Sequence, residues 1–242
     1  MTEFNPIHLA QVIVHWLEYQ ALCGRAELFS EAYLSQPIGE YCLSLNPNHF
    51  EPESLYPNDY QKGAGRKQAI DFAVFGRNAA NTQNVIKHAI ETKFATAKRT
   101  FYQEVYDDLY RLLWFQPTRE PAGCHRWLVI AGYHKNLTGR KLLGAKVQLR
   151  PGKGQPQVHA FRGLLSDDLN NATRTKPVHL ASAQLRKLWV EAAASFGQDE
   201  LPDSITVRLA GRYPKKPRPA DLCCNVWEVQ RPQPDFASVH PI

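Results

Sequence analysis

The chain has 242 residues, 43% hydrophobic and 21% charged, so it is expected to fold globularly around a sizeable core. No apolar stretch approaches the roughly 18 residues needed to cross a bilayer, and Glu3 and Asn5 stand where a signal peptide would be basic, so a cytoplasmic protein with no membrane partner is expected. A formal net charge of +6 and an isoelectric point near 9.1 favour a polyanionic partner. The five cysteines form no Cys-x-x-Cys pair and leave one over from any disulfide scheme, which argues against structural zinc and a secreted framework and for thiols held in the core.

In chain order, residues 6–22 read as an amphipathic helix, with Leu9, Val12, Ile13, Trp16 and Leu17 close to a 3.6-residue period and Gly24 breaking it. A second helix is predicted over 25–35, ending before Pro37 and carrying Glu27 and Glu31 one turn apart on one face. A strand at 40–45 and an irregular loop through Asp59 follow. Residues 69–75 and 89–95 are apolar runs of strand length, and the turn formers between Gly76 and Asn84 predict an antiparallel hairpin. Residues 100–115 have a strong helical pattern in which Phe101, Val105, Leu109, Leu112 and Leu113 build an apolar side, with Asp107 and Asp108 assigned to packing or solvation.

Trp114 and Phe115 are expected to close the core, and 126–133 forms the next strand. Beyond it, 147–150 and 158–161 read as short strands and 185–195 as a helix. Two further strands, 205–209 and 225–229, flank a Pro- and Lys-rich loop at 213–219. No repeat or low-complexity linker divides the chain. Residues 1–165 are therefore expected to form the core with its N-terminal helices, and 166–242 a C-terminal extension packed on it. His125, His134, His159 and His179 show no metal-ligand spacing.

Two of these strands hold charges that an apolar strand should not hold. Asp71 interrupts 69–75, and Glu91-Thr92-Lys93 interrupts 89–95. Burying a carboxylate without a partner is costly, so three charges on two neighbouring strands imply a site that binds a cation, most simply a metal ion. Side chains two apart on a strand share a face. Glu91 and Lys93 then point one way and Ile90, Thr92 and Phe94 the other, while Asp71 lies opposite Ile70, Phe72 and Val74. Pairing of the two strands lets Asp71, Glu91 and Lys93 converge.

With these residues in place the chain resembles the PD-(D/E)XK nuclease superfamily, whose signature is an acid on one strand and Glu-x-Lys or Asp-x-Lys on the next. The resemblance covers roughly residues 24 to 135 as an order of helices, strands, helix and strand, and Ile70 stands where the family often has proline. It implies an α/β fold, a restriction-endonuclease-like mixed sheet flanked by helices. It also implies a metal-dependent nuclease that hydrolyses phosphodiester bonds in nucleic acid, with DNA favoured and endo or exo cleavage left open, and a role in nucleic-acid defence or repair. Mg²⁺ or Mn²⁺ would be held by Asp71, Glu91 and the backbone carbonyl of Thr92, with Lys93 acting on the attacking water and the phosphate charge. A helix before the first strand would add Glu31, with Glu27 in reserve and Glu18 and Glu40 as weaker alternatives, and the helix after Lys93 would add Gln103.

Basic clusters at 62–67, at Lys98-Arg99 and at Arg208, Arg212, Lys215, Lys216 and Arg218 could neutralise phosphates, or could be solvated loop charge. The Gly63-Ala64-Gly65 stretch lacks the spacing of a phosphate loop. Two other classes stay open beside the nuclease: a non-catalytic nucleic-acid-binding or interaction module on a nuclease-like fold, and a structural protein in which Glu91 and Lys93 form a surface salt-bridged pair. A homodimer or a protein partner is compatible with each.

Overall fold

Asn5 opens the first helix: its Oδ1 accepts the backbone N–H groups of Ile7 at 2.9 Å and His8 at 3.2 Å, and Pro6 takes the first turn, where a missing N–H costs nothing. The computed structural model describes residues 3–45, 50–55, 69–77, 84–96, 101–115, 123–138, 165, 172–177 and 204–230. Helix α1 spans Pro6–Leu22, a 3-10 turn follows at Ala26–Leu28, and α2 spans Glu31–Leu45.

The helix predicted over 25–35 and the strand over 40–45 are thus corrected to one short turn and one long helix. Leu34, Pro37, Ile38, Tyr41, Cys42 and Leu45 are buried at helical spacing. Burial at roughly 1.5–3 kcal/mol per large apolar side chain outweighs the roughly 3 kcal/mol cost of a proline inside a helix.

The remaining elements are β1 (Phe50–Leu55), β2 (Ala69–Arg77), β3 (Asn84–Ala95), α3 (Phe101–Trp114), β4 (His125–Tyr133), α4 (His134–Thr138), β5 (Thr173–Pro177), β6 (Ser204–Tyr213) and β7 (Leu222–Gln230). Among the described residues the seven strands form one mixed sheet in the order β1-β2-β3-β4-β7-β6-β5. Strands β1, β2 and β3 run antiparallel in succession, as the hairpin signal between Gly76 and Asn84 predicts for the last two. Strand β4 then pairs parallel to β3, with α3 in the connection between them. Strands β7, β6 and β5 continue antiparallel from β4. Residues 166–242, expected as an extension packed on the core, thus supply three strands of the sheet itself.

Helices cover both faces. Leu9, Ile13 and Leu17 of α1 and Leu34 and Ile38 of α2 pack with Phe72, Val74, Ile90, Phe94, Trp127, Val129 and Val226. On the other face Val105, Leu109 and Leu112 of α3 pack with Ala73, Ala89, Leu128, Ile130, Leu209 and Trp227. The alternation read from sequence holds for Phe72 and Val74, but Ile70 joins the α3 side. That departure falls where the backbone ladder between β2 and β3 ends, at Phe72 opposite Ile90.

The strands expected at 147–150 and 158–161 and the helix at 185–195 lie outside the described residues. Among the described residues no helix is long and apolar enough to cross a membrane. All five cysteines are free thiols, with Cys42, Cys124, Cys223 and Cys224 buried and Cys23 exposed.

Candidate functional site

Beyond the end of the β2–β3 ladder, a side chain takes over the role of the backbone. Oδ2 of Asp71 accepts the Thr92 backbone N–H at 2.7 Å and the Thr92 hydroxyl at 2.8 Å. The carboxylate stands in for a strand carbonyl and fixes Asp71 against the segment that carries Glu91 and Lys93.

Glu91 lies in the middle of this segment, opposite Leu128 of β4, and is fully buried. Among the described residues neither of its carboxylate oxygens has a hydrogen-bond partner, and the Arg111 guanidinium stands 3.8 Å from Oε2. Burial first, and then the negative charges of Asp108 and Asp71, push its pKa well above the usual carboxylate range, against the opposing pull of Arg111 and Lys93.

Lys93, also buried, reaches two carboxylates from different helices: Glu31 Oε2 at 2.8 Å and Asp108 Oδ2 at 2.9 Å. Burial alone would lower its pKa, but Asp108 and Glu31 outweigh it and hold the ammonium group more firmly protonated than usual. Asp108 in turn shares its Oδ1 with Arg111 at 3.1 Å. Burial pushes the Asp108 carboxyl up to about 7, opposed by Lys93 and Arg111.

The structure therefore brings Asp71, Glu91, Lys93 and Glu31 to one end of β3. Glu31 arrives from the first turn of α2, the end of that helix remote from β1. Glu27 sits in the 3-10 turn, exposed, and not one turn behind Glu31 on a shared helix. Glu18 and Glu40 are exposed, and Glu40 accepts from Gln36 at 3.0 Å. Gln103 belongs to α3, and its side chain is outside the described residues.

Two members escaped the sequence reading, Asp108 and Arg111. Asp108 carried a usable signal: with Val105, Leu109 and Leu112 it occupies positions i, i+3, i+4 and i+7 of one helix stripe, so a charge stands inside an apolar face. Arg111, one turn further on, is the cation that a buried acid at 108 calls for.

The donors suit a hard divalent cation in type, since Mg²⁺ is commonly held by one or two carboxylates with its remaining positions on water or phosphate. Glu91 offers two buried oxygens that accept no hydrogen bond among the described residues. Four carboxylates (Glu31, Asp71, Glu91 and Asp108) face two cations (Lys93 and Arg111), so full ionisation leaves a surplus of two negative charges. Among the described residues no group of three or more His, Cys, Asp or Glu side chains converges to hold an ion, so any metal here would depend on other oxygen donors.

Of the basic clusters, Arg208 is engaged by Glu228 and Arg218 by Asp221, while Lys215 and Lys216 are exposed. The clusters at 62–67 and 98–99 lie outside the described residues. Compared with known proteins, the chain matches no family model, no curated protein and no solved structure.

Proposed function

We propose that the protein is a metal-dependent nuclease that hydrolyses phosphodiester bonds, with DNA the favoured substrate, on a restriction-endonuclease-like core formed by α2, β1 to β3, α3 and β4. The observation that carries this reading is the Glu91 carboxylate, buried, without a hydrogen-bond partner among the described residues, and crowded by Asp71 and Asp108. A fold keeps such a group only where something outside the protein satisfies it or where a proton does. The order of helix, strands, helix and strand, with Asp71 and Glu91-x-Lys93 on paired neighbours, supports the same reading.

Mg²⁺ or Mn²⁺ bound by Asp71, Glu91 and the Thr92 carbonyl would neutralise developing charge and acidify a bound water. Thr92 holds Asp71 in place through its N–H and hydroxyl. Lys93, gripped by two carboxylates, serves as a fixed cation facing the scissile phosphate and orienting the attacking water, which leaves proton abstraction to another group.

Calorimetry with Mn²⁺ tests the reading. Wild type should give a saturable heat that Asp71→Ala and Glu91→Gln each remove, and an unchanged heat in both variants would end it. The same cluster is half-neutralised from within by Lys93 and Arg111, and this observation favours the second reading, an interaction module on a nuclease-like fold that binds no metal.

A further inference from the structure

We infer that Asp108 is a positioning residue of this site, the fixed anchor that holds Lys93 and Arg111 beside Glu91, and that Glu31 is the exchangeable partner of Lys93 that an incoming phosphate replaces. The role toward substrate rests on the nuclease reading, whereas the anchor itself rests on geometry.

The two carboxylates on Lys93 differ in their access to water. The Asp108 side chain is 1% exposed and that of Glu31 is 44% exposed, although both lie within 2.9 Å of the same ammonium nitrogen. Asp108 is embedded among Val105, Leu109 and Leu112, so it cannot turn to solvent when an ion pair breaks. Its two oxygens divide the labour: Oδ1 accepts a hydrogen bond from Arg111 at 3.1 Å, and Oδ2 holds Lys93 as a buried ion pair at 2.9 Å that lacks hydrogen-bond alignment, so charge and burial fix this contact. Removing one partner from a buried ion pair strands the other charge, whereas an exposed partner is readily exchanged because water competes for it.

A phosphate oxygen arriving at Lys93 would replace one anion by another, with no covalent change and no loss of compensation for the ammonium group. Asp108 meanwhile keeps the nitrogen in place. Arg111, its side chain 37% exposed, is held beside Glu91 through Asp108. Glu31 in this arrangement occupies the phosphate position while the site is empty of substrate.

The test has two readouts on the full chain. The first is the ¹⁵N signal of the Lys93 ammonium group, which exchanges slowly only while that group is held. It should persist in wild type and Glu31→Gln and vanish in Asp108→Asn. The second is single-turnover cleavage of a DNA oligonucleotide in Mn²⁺, with binding of the same DNA measured in Ca²⁺. Asp108→Asn should cut about 100-fold more slowly while binding within about 3-fold of wild type, with Asp108→Glu recovering part of the rate.

Leu113→Ala, which loosens the same helix away from the residues that embed Asp108, should keep both the ammonium signal and the rate per folded molecule. Loss of the signal in Glu31→Gln with retention in Asp108→Asn overturns the inference, as does an unchanged rate in Asp108→Asn or an equal loss in Leu113→Ala. If Asp108→Asn does not fold, the signal in Glu31→Gln decides alone, its loss overturning the inference. A wild type that cuts nothing refutes the nuclease reading and with it the role toward phosphate, while the ammonium signal still decides which carboxylate anchors Lys93.

Discussion

Asp71 Oδ2 accepts the Thr92 backbone N–H at 2.7 Å at the point where the β2–β3 ladder stops. One carboxylate is thereby asked to close the strand pairing and to serve the proposed metal site, and substitutions separate the two roles. Asp71→Asn keeps an oxygen that can accept the N–H, whereas Asp71→Ala leaves a part-buried donor without its partner. Urea unfolding should show Asp71→Ala destabilised by about 1–3 kcal/mol and Asp71→Asn by less than about 1 kcal/mol, although both lose Mn²⁺ binding. An Asp71→Asn loss as large as that of Asp71→Ala would show that a neutral amide oxygen cannot replace the carboxylate, and no loss in either would show that the hydrogen bond contributes nothing.

Gly211 offers a test of how α1 sits on the sheet. It lies where the β6–β7 register shifts, and a Cβ there would run into the Pro6 carbonyl and approach the Ile7 nitrogen to 2.9 Å. These are backbone atoms at the start of α1 and cannot swing aside. Gly211→Ala should therefore cost about 1–3 kcal/mol in a thermal or urea melt, and a neutral result would show that α1 is not pressed against β6.

At the other end of β3, His88 accepts the Trp127 indole N–H at 3.1 Å on Nδ1 and stacks on Phe4. Burial first, and then the charges of His125 and Lys87, hold its pKa down near 3 from a usual 6.5, against a smaller opposing pull from Glu228. The unfolded chain takes up this proton near pH 6.5 and the folded chain only near pH 3. The stabilisation is therefore complete above pH 6.5 and declines as the pH falls toward 3, by up to about 1.4 kcal/mol per pH unit. His88→Asn supplies an amide oxygen to the indole and removes the titration, so the stability difference between wild type and this variant should shrink or reverse on acidification. A difference that stays constant from pH 7 to pH 4 would contradict the burial of a neutral His88.

The parts legible in the sequence are those where the pattern is long and the environment uniform. Strands β2, β3 and β4 read as apolar runs because helices cover both faces of that part of the sheet, and α3 reads from the stripe of Val105, Leu109 and Leu112. Asp71, Glu91 and Lys93 stood out against those runs. Helix α2 was obscured by Pro37, whose cost is met by burial that sequence alone does not reveal. Strand β1, Phe-Glu-Pro-Glu-Ser-Leu, and β5, Thr-Arg-Thr-Lys-Pro, lie at the two edges of the sheet, where charge and proline are tolerated and apolar pattern is lost. Asp108 was missed for a different reason: its partner Lys93 is fifteen residues away and becomes its neighbour only when α3 packs on the sheet.

Phosphodiester hydrolysis is measured as metal-dependent cleavage of single- and double-stranded DNA and RNA by wild type and Lys93→Ala. With Mg²⁺ or Mn²⁺, wild type should cut DNA, and Lys93→Ala should lose at least about 100-fold of that rate while binding the same DNA in Ca²⁺ within about 3-fold of wild type, because Lys93 is asked to act on transition-state charge more than on ground-state affinity. The contrary result is a full panel left intact with either metal while Asp71→Ala binds nucleic acid as wild type does, which would make the protein an interaction module.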